Sequence, residues 1–212
     1  MARPREFNEG IVLDAALQCF WRRGYDSTSV RDLIGETGLT GASLYNAFGD
    51  KHALYQKALD RYVETSIVDR IRRCERLAPL DGIGAFFAEV VKRSLADQDR
   101  KGCMLINAAL GMAPHDPDSR EGVAEVLKRI ERFFLKSVES GQAGGTISTS
   151  LPASDLAQHL LSVLVGIRVL ARVRPERSLL RGTVASAMAL LRNGDVKQER
   201  PTRKHVGSRS RT

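Results

Sequence analysis

Residues 24–59 read GYDSTSVRDLIGETGLTGASLYNAFGDKHALYQKAL, and the punctuation of this stretch decides the fold. Ser29 with Asp32 three residues later is a capping-box pattern, and Val30, Leu33, Ile34 and Thr37 follow at helical spacing. Gly38 then supplies a turn, Leu39 an apolar plug, and Thr40 a new N-cap for a second short helix that turns Leu44 and Phe48 inward at i, i+4. Gly49 ends that helix. Asp50 caps a longer one, striped by Leu54, Tyr55, Ala58, Leu59 and Tyr62 and expected to run past Ile67 and Ile71 to about Leu77. Helix, glycine turn, helix is the helix-turn-helix unit.

Upstream, Asn8 can cap a first helix with Phe7 and Val12 at staple positions. Val12, Ala15, Ala16, Cys19 and Phe20 mark its buried stripe, Arg22 and Arg23 suit its last turn, and Gly24 closes it. Downstream of Pro79 helical patterns recur at about 81–97, 103–112, 118–140, 154–173 and 176–192, broken by Pro114, Pro117, Gly141 to Gly145, Pro152 and Pro175. No strand-like alternation competes with them. The fold class is all-α: a three-helix unit at 1–50, a larger helical unit at 51–192, and a basic tail at 193–212 without apolar anchors, expected to be flexible.

Composition narrows the classes. Hydrophobic residues at 42% and charged residues at 27% describe an ordinary globular chain. The apolar run around Leu160 to Ile167 contains Ser162 and Gly166 and stops at Arg168, short of the roughly 18 to 20 residues a bilayer requires, so no membrane segment is expected. Arg3 and Arg5 are not followed by the apolar region of a secretory signal, which predicts a cytoplasmic protein. Cys19, Cys74 and Cys103 show no CxxC spacing, and neither a disulfide framework nor a zinc site is indicated.

The net charge of +8 suits a polyanionic partner, yet residues 1–50 hold five basic side chains against seven acidic ones. Charge alone does not locate a DNA-binding unit there; the motif does. Such a unit lays the start of its second helix in the major groove, where the outward positions are Thr40, Gly41, Ser43, Tyr45 and Asn46. Ser and Asn hydrogen-bond base edges, Gly41 lets the backbone approach, and a Tyr hydroxyl or a Lys near a helix N-terminus suits phosphate oxygens.

The quoted stretch resembles the N-terminal domain of the TetR family of regulators, closely over residues 8–62, with SLYNAF followed by Asp50, Lys51 and Leu54 as its most specific part. The resemblance implies DNA binding by the three-helix unit, an inducer site in the larger unit, and a homodimer formed through the last two helices. It further implies that Tyr45 and Lys51 touch phosphates, that Ser43 and Asn46 face the groove, and that Arg31 can reach a base. Ala47 stands where many members carry His, and Gly35 where a small Ala is usual.

No GxSxG, Walker or HExxH pattern is present, so no enzymatic activity and no cofactor are expected. His115 with Asp116 and Asp118 reads as the acidic, Pro-flanked start of a helix rather than a metal site. Cys103 has two readings: an effector-site or sensor thiol at a helix start beside Arg100 and Lys101, or a small buried hydrophobe. The Gly102–Cys103 pair resembles one found in electrophile-responsive TetR regulators. The inducer pocket is expected from helices at about 81–140 and 154–170, and the dimer from 154–173 and 176–192, where Leu156, Leu160, Leu161, Val163, Leu164 and Ile167 surround Ala157 and Gly166. The expected function is a repressor that leaves a palindromic operator when an unknown small-molecule or electrophile effector binds. The alternative is an effector-binding or scaffold protein whose helix-turn-helix does not read DNA.

Overall fold

Each helix start in the N-terminal unit is made by a side chain that satisfies backbone donors the helix itself leaves free. In the computed structural model, which describes residues 7–192, α1 (Glu9–Arg23) begins where Asn8 Oδ1 accepts from Ile11 N–H. Arg3, Arg5 and the basic tail at 193–212 lie outside the described residues. Ser29 and Asp32 form a complete capping box on α2 (Val30–Thr37), Thr40 caps α3 (Gly41–Phe48), and Asp50 caps α4 (Lys51–Tyr62). Each such cap contributes about 1 kcal/mol. Gly38, at φ +71° and ψ 5°, adopts the left-handed conformation that ends α2 and opens the three-residue turn to α3.

The small unit closes on an aromatic centre. Phe20 of α1 meets Tyr55 of α4 edge-on at 5.1 Å between centroids, Tyr25 stands against both, and Phe7 packs on Phe48 of α3 at 6.3 Å. Arg22 and Arg23, expected to favour the end of α1 by charge, also bind across to α2, at 2.7 Å to Glu36 and 2.9 Å to Asp32.

The long linking helix differs from its expected form. After Tyr62 the hydrogen bonding widens to a π-helical stretch over Val63–Val68, α-helix resumes as α5 (Asp69–Cys74), and the helix ends three residues before Leu77. Gly82 permits a close approach at this end. A Cβ there would stand 2.7 Å from the carbonyl oxygen of Cys74, so α6 (Pro79–Ala96) starts against the spent end of α5.

The remaining helices are α7 (Met104–Gly111), α8 (Pro117–Ala143), α9 (Ala153–Val173) and α10 (Arg177–Leu191). No strand occurs among the described residues. Phe86 and Phe87 of α6 interlock with Phe133 and Phe134 of α8, with centroids 5.2–5.6 Å apart, and α9 lies along α8. Contrary to the short-run expectation, α9 is long and apolar enough to cross a membrane by length and composition, because Ala and Gly extend its Leu/Val run. Leu156, Leu160, Leu164 and Ile167 nonetheless fill the protein core, and Arg168 turns inward.

Candidate nucleic-acid interface

Leu44 and Phe48 hold α3 to the core and leave its opposite face to solvent, where Ser43, Tyr45 and Asn46 are exposed. Tyr45, at 40% exposure, is a large ring with no packing reason to be outside. Thr40 is engaged as a cap: its Oγ1 accepts from Ser43 N–H at 3.2 Å and donates to Ser43 Oγ at 2.9 Å, which leaves the Ser43 hydroxyl proton free to donate outward. Gly41 is half-exposed, and a Cβ there would make van der Waals contact with Ile34 Cδ1 at 3.4 Å.

Arg31 is exposed on the first turn of α2. Lys51 is half-buried at the start of α4 with its ammonium 4.4 Å from the Tyr25 ring centre, an interaction that fixes its direction. Sequence reading had no means of finding Tyr25 as its partner. Arg31 at the start of α2, the outward polar face of α3 and Lys51 at the start of α4 thus stand on successive short elements whose starts are capped and whose centre is aromatic.

The two units are tied at places the sequence did not show. Arg61 of α4 donates to Asp14 of α1 through Nε at 2.5 Å and Nη2 at 2.6 Å, which lowers the Asp14 carboxyl below the usual range. The acidic helix start read at 115–118 is the start of α8, where Asp116 is the cap and also binds His52 Nε2 at 2.8 Å, while Gln56 donates to Ser119 Oγ at 2.6 Å. The Ser119 hydroxyl and His52 hold the Asp116 carboxyl down at about 2. No grouping of three or more His, Cys, Asp or Glu suited to a metal occurs among the described residues.

Cys103 is the N-cap residue of α7, one place ahead of the expected first turn, and is buried with Sγ accepting from the Tyr62 hydroxyl at 3.3 Å. Beside it opens a cavity of about 500 Å³ lined from α6 and α9 and also from Trp21 of α1 and Arg70 of α5, whereas α7 and α8, which the sequence reading included in an inducer pocket, contribute nothing to it. A second groove of about 660 Å³ runs between α6 and α10.

The sequence profile of bacterial regulatory proteins of the tetR family matches residues 12–58, and that of the tetracyclin repressor-like C-terminal domain matches 79–187. The HTH-type transcriptional regulator YezE of Bacillus subtilis is 29% identical over 197 residues, covering 90% of this chain and all of YezE. The HTH-type transcriptional repressor ComR of Escherichia coli is 27% identical, covering 80% of this chain and 82% of ComR. Among solved structures, a cysteine-substituted variant of the TetR family regulator CifR, complexed with 26 bp double-strand operator DNA, superposes with a TM-score of 0.79 at 28% identity over 90% of this chain and 100% of that one. Both halves of the chain thus match the two halves of one architecture, and the protein belongs to the TetR family of bacterial regulatory proteins.

Proposed function

We propose that this protein is a DNA-binding transcriptional repressor that acts in the cytoplasm as a two-fold homodimer and leaves a palindromic operator when a small molecule enters the cavity beside Trp21. The observation that carries the reading is the exposed polar face of α3, with Ser43, Tyr45 and Asn46 outward on a helix pinned from behind by Leu44 and Phe48. In this reading residues 1–50 form the DNA-binding unit, 51–192 bind effector and partner, and α4 belongs structurally to both. Ser43 and Asn46 read bases, Tyr45 and Lys51 hold phosphates, Arg31 reaches toward the groove, and Thr40 and Gly41 set the helix start against the DNA. CifR, crystallised on its operator, and ComR, named a repressor, support the same reading.

The dimer face changes relative to the sequence expectation. Leu156, Leu160, Leu164 and Ile167 are consumed in the protomer core, and the apolar positions left uncovered on α9 are Val169 at 41% and Val173 at 67% exposure, in line with half-buried Leu161 and Val165 at four-residue spacing. On α10, Gly182, Ser186 and Ala189 are exposed with Leu190, and their small size permits close helix approach. Two-fold pairing through these helices would present two α3 helices to major grooves about 34 to 36 Å apart or a multiple of that. Footprinting on DNA upstream of the protein's own gene tests the proposal. Two protected half-sites related by a dyad are expected, and the absence of any specific protection on that DNA or across the genome would reject it.

A further inference from the structure

The cavity between α1, α5, α6 and α9 has the volume of a small-molecule site, about 500 Å³, and its wall carries two guanidiniums withdrawn from water. Arg70 is 2% exposed and Arg168 is 7% exposed. A buried cation normally comes with a carboxylate and a full set of acceptors, because its desolvation is otherwise uncompensated. Here the counter-charge is short. Glu89 of α6 lies 3.1 Å from Arg70, but the same carboxylate also holds Arg73 at 2.7 Å and Arg93 at 2.9 Å. One carboxylate serves three guanidiniums, of which, among the described residues, only Arg73 has a second carboxylate, that of Asp69.

The hydrogen bonds are short as well. Arg70 Nε is misaligned for a hydrogen bond with Glu89, and its Nη2 has no partner among the described residues. Arg168 gives Nη1 to a neutral acceptor, Ser94 Oγ, at 3.2 Å. Burial first and the neighbouring Arg168 second push the Arg70 guanidinium below its usual range, and the shared Glu89 carboxylate offsets this only in part. Two further acids line the cavity, and among the described residues neither pairs with Arg70 or Arg168: Asp97 accepts from Gly102 N–H at 2.8 Å, and Asp99 lies 3.8 Å from Lys101. A further buried donor without a partner is Trp21 Nε1, whose ring stands edge-on to Tyr62 under the Lys101 ammonium.

We infer that this cavity binds a small organic carboxylate, with its anionic end between Arg70 and Arg168 and its apolar body against Trp21 and Tyr62. The inference rests on the effector-responsive reading above and names the chemical class of the effector. Guanidiniums take a carboxylate through paired, charge-assisted hydrogen bonds, and the anion would supply both the missing charge and the missing acceptors. A phosphate ester offers the same oxygens with a second negative charge, which adds to the Asp97 and Asp99 carboxylates already on the cavity wall. Because Trp21 belongs to α1, a ligand seated here touches the DNA-binding unit and the larger unit together.

Trp21 is the chain's single tryptophan, so its emission reports the site without a label. The full-length protein, without DNA and at matched ionic strength, is titrated with benzoate, phenylacetate, hexanoate and decanoate, with the corresponding neutral amides, and with phenyl phosphate. At least one carboxylate is expected to give a saturable change and to bind about tenfold or more tightly than its amide, the effect of a hydrogen bond to a charged group. Arg168→Gln should lose that preference while keeping the wild-type circular dichroism; should the variant fail to fold, the acid-against-amide comparison on the wild type decides alone. No saturable response to any carboxylate, equal binding of acid and amide, or a response to phenyl phosphate only would overturn the inference. A carboxylate that saturates Trp21 yet leaves operator affinity unchanged overturns the effector assignment. Failure of the ligand-free protein to bind an operator instead rejects the function proposed above and leaves the carboxylate site standing.

Discussion

The indole of Trp21 stands edge-on to the phenol of Tyr62, with ring centroids 5.0 Å apart and planes at 69°. Trp21 sits near the end of α1 in the small unit, and Tyr62 closes α4 directly before the π-helical stretch. The Tyr62 hydroxyl continues the line into the larger unit by donating to Cys103 Sγ, and burial raises that phenol well above its usual range. Ring, hydroxyl and thiol thus form one packed path between the units, directly beside the π-helical stretch.

Cys103 is expected to behave as a structural thiol. All three cysteines are buried, so a thiol reagent should react slowly with the native protein and promptly once it is denatured. Cys103→Ser should retain operator binding. Rapid alkylation of Cys103 in the folded protein, with release of the operator, would restore the electrophile-sensor reading.

DNA contacts should divide by type. Lys51→Ala and Tyr45→Phe are expected to weaken binding to all sequences alike, and Lys51→Ala should reduce the salt slope by roughly 0.9 for its lost phosphate contact. Asn46→Ala or Ser43→Ala should change sequence preference, by about 1–3 kcal/mol at the affected base pair. Binding measured across a salt series on operator and scrambled DNA checks the division; altered specificity with an unaltered slope for Lys51→Ala would contradict it.

Two glycines should respond oppositely to alanine. Gly35 lies inside α2 with open space where a Cβ would go, so Gly35→Ala is expected to stabilise by about 0.5–1 kcal/mol. At Gly82 the added atom would meet the backbone oxygen of Cys74 at 2.7 Å, and Gly82→Ala should destabilise by about 1–3 kcal/mol. Denaturant melts of the two variants separate these outcomes.

The start of α8 should be acid-sensitive. Asp116 has a folded pKa of about 2 against 3.8 for the free side chain, so its stabilising contribution is complete above the higher value and disappears as pH falls through the lower. Asp116→Asn should melt below the wild type at neutral pH, with the gap closing toward pH 2. A gap that persists at the acid end would assign the effect to something other than this carboxylate.

Much of this was legible from caps and spacing. Asn8, Ser29 with Asp32, Thr40 and Asp50 announce helix starts by local chemistry, and each performs that role. The π-helical stretch was not legible, because Val63, Ile67 and Ile71 keep a spacing that α-helix and a six-residue π segment share. Arg168 looked like the charge that ends an apolar run, since a sequence does not say whether an arginine faces water or a cavity. The His52–Asp116 contact joins residues 64 apart, beyond the reach of any local pattern. Ser43, Tyr45 and Asn46 are exposed on α3 where spacing placed them, whereas the Tyr25 support for Lys51 needed the fold.

Dimerisation should depend on the uncovered stripe of α9. Val169→Asp combined with Val173→Asp places two charges on exposed positions, leaves the protomer core intact, and should yield a folded monomer by light scattering at micromolar concentration. A wild-type protein that is monomeric under those conditions, or a double variant that remains dimeric, would move the interface elsewhere.

The most direct test of the central claim is the affinity of the purified protein for a labelled fragment from upstream of its own gene, measured against scrambled DNA of equal length, for wild type and for Ser43→Ala with Asn46→Ala. The account predicts saturable binding of two protomers per dyad site, with a preference over scrambled DNA of at least about a thousandfold for wild type that the double variant loses. Equal affinity of the wild type for operator candidates drawn from the whole genome and for scrambled DNA, or an unchanged preference in the double variant, would contradict it.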